Sequence, residues 1–414
     1  MGCFPDYTHV NLFATLFFEH FDPILSIYNS RVAAIDKHWV LALAVIAVGS
    51  QYSGTVEMAQ CVVPLHEFLR LALVSNIEGC DGCSGDDGTR LARAQALVIN
   101  QVGMMYYGSR RLDRLARHRR AELADIATTT MRILAEKDEQ REEQRADDEP
   151  VADAWRRWMV QEAWRRLGYT IWLLDCMGFY HFGQRPMLSL ECTIRCDLPY
   201  DELWAAHTVE QWSLKYKSDD YNRHPSLVSS VYTLFRHRQR PSDLGEFSDL
   251  LLLHGIYEHI YQVDDYYRSP LSEWIPRTPP VSRRGAVNID VAETASTIHS
   301  TINNFESWRS AAMDCVDVLH WAANGTVARL AGAEHATVLH LQFSRVVLWA
   351  PYAAIRTLAE WAAVTARARE GPDCLDFVYS REGQWLSRNE VTRHENTVKQ
   401  WTQEDEVSLE PLHT

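Results

Sequence analysis

Hydrophobic positions along this chain recur mostly at intervals of three and four residues, the spacing that gathers side chains on one face of an α-helix. Residues 11–28 (NLFATLFFEHFDPILSIY) predict an aromatic-rich helix that stops near Pro23. Residues 38–53 (HWVLALAVIAVGSQYS) are apolar on every side, which marks a helix buried in the core of a large bundle. In residues 91–107, Ala94, Leu97, Val98, Met104 and Met105 fall on one helical face, and the four glycines of residues 76–89 predict a loop before it. A further helical block starts near Asp153 and runs to Phe179. After Asp175 the chain is expected to leave the helix and become extended, with Cys192 and Cys196 bracketing Ile194 in a short extended segment, and Leu198-Pro199 leads into a new helix carrying Trp204. Helical patterns return around 289–330, 335–369 and, faintly, 384–405. No alternating run is long enough to build a sheet and no internal repeat is present. The expected fold class is all-α: a large multi-helical domain with a short extended segment and a flexible acidic linker.

Two polar stretches interrupt the pattern. Glu136 to Glu149 holds eight acids against three basic residues, and Ala146 is its one apolar side chain, so it reads as an exposed helix end passing into a linker. Residues 270–284 (PLSEWIPRTPPVSRR) read as a long Pro-rich loop.

Composition fits this picture. Gly and Pro number 19 and 15 in 414 residues, few enough to favour helices over a sheet protein rich in turns. A net charge of −14 argues against a surface that grips nucleic acid or anionic lipid through bulk electrostatics. Nine scattered cysteines are most simply free thiols in a reducing compartment. The N-terminus lacks the basic and apolar regions of a secretory signal, and the longest apolar run, Trp39 to Val48, has 10 residues, too few for a bilayer span. These features lead to the expectation of a soluble intracellular protein.

Signatures of catalysis and cofactor binding do not emerge. No GxGxxG, GxxxxGK[ST] or GxSxG occurs. His66-Glu67 opens a zincin pattern, but Arg70 stands where the second histidine is required. His20 and Asp22 have the spacing of two facial-triad ligands without a third, and read as polar residues at a helix end. Asp264-Asp265 has no partner motif for a metal-diphosphate site and reads the same way. Cys80 and Cys83 form a lone CxxC, expected to be two free thiols in a loop rather than half a zinc knuckle. From Arg110 to Arg120 lie six arginines and one histidine. Arg110, Arg114, Arg117 and His118 share one side of a helix, with Leu112 and Leu115 towards the other, either a solvated face or a stripe able to touch phosphate. No catalytic, cofactor-binding or metal-binding residue is assigned, and no cofactor is expected.

The informative stretch is 153–212. At 3.6 residues per turn, Trp158, Glu162, Arg165, Tyr169, Trp172 and Cys176 line one face. Glu162 and Arg166 are four apart with the acid first, the favourable order for a helical ion pair. Charges on so apolar a helix predict a buried pair that fixes how the helix docks.

With Trp155 and Trp158, Glu162-x-x-Arg165-Arg166, Tyr169, Leu174-Asp175, Pro186, Leu198-Pro199, Trp204 and Trp212, this region resembles the fungal-specific transcription factor domain, the middle homology region, especially as it occurs beside C2H2 zinc fingers. Phe17-Phe18-Glu19-x-Phe21-x-Pro23, Leu41 to Ser53, Gln95-Ala96-Leu97-x-x-Asn100-Gln101, Leu253-His254-Gly255-Ile256 and His340 to Pro351 extend the resemblance over roughly residues 10–365. The resemblance implies a regulatory domain over 10–370, interrupted by an acidic linker at 136–152 and a Pro-rich loop at 270–285, with a polar tail over 371–414. It implies a nuclear regulator of RNA polymerase II genes, such as a gene cluster of secondary metabolism. Relatives carry a zinc finger or zinc cluster ahead of this domain, whereas this sequence contains neither C-x₂₋₄-C…H-x₃₋₅-H nor a six-cysteine cluster. Direct nucleic-acid binding is therefore not expected. The expected partners are proteins, either a DNA-binding factor or a second copy, with a small-molecule effector in a helical cavity and no membrane. The residues expected to carry the architecture are Trp158, Glu162, Arg166, Asp175, Pro199 and Trp204. The alternative is a helical enzyme or ligand-binding protein repurposed for a fungal natural-product pathway.

Overall fold

The computed structural model describes residues 4–78, 87–143, 150–216, 224–268, 307–325, 336–350, 352–368, 377–379 and 385–387, with isolated positions near 392–399. Its helices are α1 (Tyr7–Leu16), α2 (Trp39–Gly49), α3 (Val56–Glu78), α4 (Asp87–Tyr106), α5 (Arg110–Glu143), α6 (Val151–Phe182), α7 (Asp201–Trp204), α8 (Val209–Tyr216), α9 (Leu227–His237), α10 (Glu246–Arg268), α11 (307–325), α12 (Ala336–Trp349) and α13 (Tyr352–Ala368). Among the described residues the fold is all-helical apart from one antiparallel hairpin, β1 (Phe377–Tyr379) with β2 (Trp385–Ser387). The described residues form two compact units. The first comprises Met1–Cys176, Pro186–Thr233 and Pro241–Gly255; the second comprises Met177–Arg185, Leu234–Arg240 and Ile256–Thr414.

The first unit is built around α2, which packs against α1, α3 and α4. Eight of its eleven residues are buried, as a helix apolar on all sides requires. α1 starts where the Asp6 carboxylate accepts from the His9 N–H at 2.9 Å. It runs into a π-turn (Phe17–Phe21) in which Phe17 stacks on Phe21, and ends before Pro23.

α4 departs from the single apolar face read from the sequence, since Leu91, Ala92 and every residue from Ala94 to Met105 are buried. Its polar members fit because two of them reach backbone carbonyls. Gln95 Nε2 donates to the Ile27 carbonyl at 2.6 Å, and Gln101 Nε2 donates to that of Ala116 at 3.0 Å. His66 of α3 lies fully buried against the same helix, 2.5 Å from Gln51 Nε2. A Cβ at Gly103 would fall 1.9 Å from its ring, so glycine is required for that approach. Burial pushes the His66 imidazole down to about 4.

In the second unit, Tyr180, Tyr257 and Phe343 form an aromatic cluster. The Tyr257 hydroxyl donates to the His340 carbonyl at 2.7 Å, and Arg356 Nη1 donates to the Phe179 carbonyl at 3.0 Å. Among the described residues no helix is long and apolar enough to cross a membrane.

Several expectations are corrected. The acidic run is not wholly an exposed linker, because α5 continues through Glu143 and Asp138 within it is buried against a partner arginine. α6 ends neither after Asp175 nor at Phe179 but runs to Phe182, with Tyr180 and Phe182 both buried. The segment around Cys192 is a 3-10 turn (Leu190–Thr193) rather than extended chain. The faint helical pattern of 384–405 begins instead as strand β2. Cys80, Cys83 and the Pro-rich loop lie outside the described residues.

Candidate functional site

The densest concentration of buried charge lies in the first unit, on the face of α6 that carries Trp158, Glu162, Arg165 and Arg166. Glu162 has no solvent exposure, and the two arginines have 2% and 1%. Arg165 Nη1 donates to Glu162 Oε2 at 2.9 Å, and Arg166 Nε donates to Glu162 Oε1 at 3.0 Å. The Tyr200 N–H also donates to Oε1, at 2.9 Å. One carboxylate thus joins two turns of α6 to the backbone just after Pro199.

Each arginine then reaches another element. Arg165 Nη2 donates to both oxygens of Asp138 on α5, at 2.9 and 2.7 Å. Arg166 Nη2 donates to Asp201 at the start of α7, and its Nη1 donates to the Ser26 carbonyl at 3.4 Å. The Arg166 guanidinium lies 4.9 Å from the Trp204 ring centre and that of Arg165 lies 5.5 Å from Tyr200. Trp204 Nε1 donates to Ser26 Oγ at 3.2 Å, tying the N-terminal segment to the same point. Trp158 closes the other side, 5.9 Å from Trp212 and 6.4 Å from Tyr200 between ring centres.

Electrostatics follow the packing. Burial opposes the charge on Arg165, but Asp138 and Glu162 overcome it and hold its pKa well above the usual value. Nearby, Asp22 is pushed up to about 6, with burial outweighing the attraction of Arg166 and a hydrogen bond from the Tyr28 backbone. Burial raises the Tyr169 hydroxyl well above its ordinary value and takes the Cys196 thiol to about 11, so Cys196 is a core thiol rather than a nucleophile. Tyr169 donates instead to the Cys196 carbonyl at 2.8 Å.

Of the six residues singled out in the sequence, Trp158, Glu162, Arg166 and Trp204 therefore meet in one network. Pro199 flanks it, and its carbonyl lies 3.0 Å from His224 Nδ1. Asp175 makes a separate tie: it accepts from Arg120 Nη2 at 2.6 Å and from the N–H groups of Met187 and Leu188 at 2.5 and 2.9 Å. Sequence reasoning missed Asp138, Tyr200 and Asp201 as members. Asp138 sits 27 residues from its partner Arg165, a separation at which no local pattern reports contact.

Asp201 is also held from behind. A Cβ at Gly245 would lie 1.8 Å from its Oδ2. Gly245→Ala is therefore expected to push the carboxylate off Arg166 and cost about 1–3 kcal/mol, read as a lower urea midpoint. An unchanged midpoint would show that Asp201 moves aside freely.

This arrangement fastens helices together. Among the described residues no group of three His, Cys, Asp or Glu could hold a metal ion. His20 is exposed, and Glu67 is engaged by Arg70 at 2.9 Å. Two open surface recesses flank Ile194 and Arg195. One, of about 320 Å³, is bordered by Asp197, His224 and Ser226; the other, of about 190 Å³, is bordered by Thr128, Met131 and Cys192.

Comparison with known proteins places this framework. The chain is 26% identical over 315 residues to a transcription factor of Gibberella fujikuroi, covering 74% of this chain and 40% of that protein. It is 28% identical over 255 residues to the nicotinate catabolism cluster-specific transcription factor of Emericella nidulans, covering 59% and 27%. It is 21% identical over 258 residues to zinc finger protein klf1 of Schizosaccharomyces pombe, covering 60% and 31%. The chain thus spans less than half the length of each of these relatives. No solved structure matches it. Residues 13–310, which include the whole charge network, match one family model, and the chain belongs to the fungal specific transcription factor domain family.

Proposed function

We propose that this chain is a regulatory domain that controls RNA polymerase II transcription in the nucleus, at a gene cluster such as one of secondary metabolism. The observation that carries the reading is the family match over residues 13–310, supported by relatives named as transcription factors, one of them specific to a catabolic gene cluster. The 414 residues contain no zinc-finger ligand pattern, although klf1 is named a zinc finger protein. Reading of DNA is accordingly assigned to a partner factor or to a segment joined to this one. A small effector or a partner protein would act by shifting the domain between two states.

Deletion of the gene with paired transcript and metabolite profiling tests this. Coordinated rise or fall of a group of transcripts is the expected result. Steady transcripts with accumulation of one intermediate would overturn it in favour of a repurposed enzyme.

A further inference from the structure

Four large apolar side chains of the second unit stand far out of the fold. Trp321 of α11 is 79% exposed, and Leu339, Val346 and Trp349 of α12 are 72%, 51% and 52% exposed. The exposed positions of α12 are Leu339, Gln342, Val346 and Trp349, a 3-4-3 spacing that forms the seam of a helix packed lengthwise on another helix. Its own fold uses the opposite side, where Thr337, Leu341, Ser344 and Leu348 are buried. One helix thus carries two seams, and one of them is left in water.

Contacts with α11 widen this seam into a two-helix face. Arg345 Nη2 donates to Asp317 Oδ1 at 2.7 Å and lies 3.0 Å from His320 Nδ1. Arg309, near the start of α11, places its guanidinium 4.3 Å from the ring centre of Trp349 at the end of α12. The two helices therefore run antiparallel. Trp321, one turn past Asp317 on the same side of α11, falls at the end of the seam that holds Leu339 and Gln342.

Charge and area narrow the choice of occupant. Arg309 and Arg345 offset Asp314 and Asp317, so the two helices are neutral in a chain of net charge −14. Asp314 accepts from Arg238 Nε at 3.0 Å and Asp317 from Arg345, so each carboxylate of α11 already has its arginine. A basic partner finds little here to recognise, whereas a second copy meets no charge that repels it. Taking about 250 Å² for a tryptophan side chain, and less for leucine and valine, the exposed fractions leave about 500 Å² of apolar surface on each copy. Pairing two such faces removes about 1,000 Å² from water, the size from which specific interfaces become stable.

We propose that the α11–α12 face is a two-fold interface between copies of this chain, in which two antiparallel helix pairs close into a four-helix bundle around Trp321, Leu339, Val346 and Trp349. The seam spacing calls for a helix as occupant, and the two-helix width calls for a helix pair. Gln342 supplies the single polar seam position that fixes register at some cost in stability. This inference does not rest on the regulatory reading, because the mass of the particle reports it whatever the chain controls.

Sedimentation equilibrium of the full chain is the test. The expected result is a reversible equilibrium between 47.6 kDa and twice that mass, with a dissociation constant in the micromolar range. Leu339→Glu and Trp321→Glu should each weaken dimerisation at least tenfold with unchanged helix content by circular dichroism, since symmetry brings the new charges of both copies into one apolar contact. Leu339→Ser, which adds no charge, should give a smaller loss in the same direction. Tyr7→Glu, at an equally exposed aromatic of the first unit, should leave the equilibrium as it is. A chain that stays monomeric at tens of micromolar overturns the proposal and leaves the face to a different protein or to another part of this chain. A dimer that the three substitutions on the face leave intact, or that Tyr7→Glu alone abolishes, overturns it too. So does a mass that keeps growing with concentration, which marks a head-to-tail contact.

Discussion

Arg166→Ala is expected to destabilise the first unit by about 3–5 kcal/mol, enough to leave much of the protein insoluble or unfolded at 37 °C. The magnitude follows from what is left behind. Glu162 keeps Arg165 and the Tyr200 N–H, but Asp201 loses its guanidinium partner, and Trp204 and Phe247 lose the cation beside their rings. Charge makes the loss worse than a count of bonds would suggest. Arg165 and Arg166 face Glu162, Asp138 and Asp201, so the network already carries a net charge of −1, which becomes −2 without Arg166. Asp22 loses the one cation that restrains its pKa and must be protonated more fully.

The opposite substitution gives an internal control. Glu162→Gln brings the network to neutrality, retains an oxygen for the Tyr200 N–H, and leaves both arginines their second acids. It should cost well under half as much as Arg166→Ala, as measured by urea unfolding of both variants beside the parent. Equal losses would show that bond count governs the network and charge balance does not. Such asymmetry is the behaviour of buried ion pairs, where an orphaned charge is worse than an absent pair.

The sequence disclosed the α6 side of this network because all of its residues repeat at helical spacing on a single element. Trp158, Glu162, Arg165 and Arg166 needed only the 3.6-residue period and the rule that charge in an apolar helix seeks a partner. The other side was illegible for a physical reason. Asp138 stands in a run whose composition argues for water, and one long-range bidentate contact decides otherwise. α4 shows the same limit from the opposite direction. Gln95, Asn100 and Gln101 are polar side chains spread around α4, yet all three are buried, Gln95 and Gln101 because carbonyls of Ile27 and Ala116 lie within reach. Binary pattern reports the average cost of burying a polar group, whereas its partner, when it comes from a distant part of the chain, sets the actual cost. The persistence of α6 beyond Asp175 belongs to this class, since the burial of Tyr180 and Phe182 is tertiary.

Asp22 and His66 make a second large prediction, because they titrate in opposite directions over nearly the same range. His66 is held at about 4, below its ordinary 6.5, so its contribution is fully present above pH 6.5 and is lost as pH falls towards 4. Asp22 is held at about 6, above its ordinary 3.8, so the folded unit is favoured below pH 3.8 and loses that advantage as pH rises through 6. At roughly 1.4 kcal/mol per unit of pKa, each amounts to about 3 kcal/mol, and between pH 4 and 6.5 the two largely cancel. Asp22→Asn removes one of them. The variant should be more stable than the parent by about 3 kcal/mol above pH 6.5, with the difference shrinking to nothing by pH 4. Groups common to both proteins drop out of this difference, so urea unfolding at half-unit steps isolates Asp22. A constant offset between the two curves, or a gain at low pH, would mean that Asp22 is not the buried acid facing Arg166. His66→Gln in the same background should then flatten the remaining acid slope. It removes the imidazole whose protonation the glycine-lined contact with α4 cannot accommodate, and a slope that survived would belong to another group.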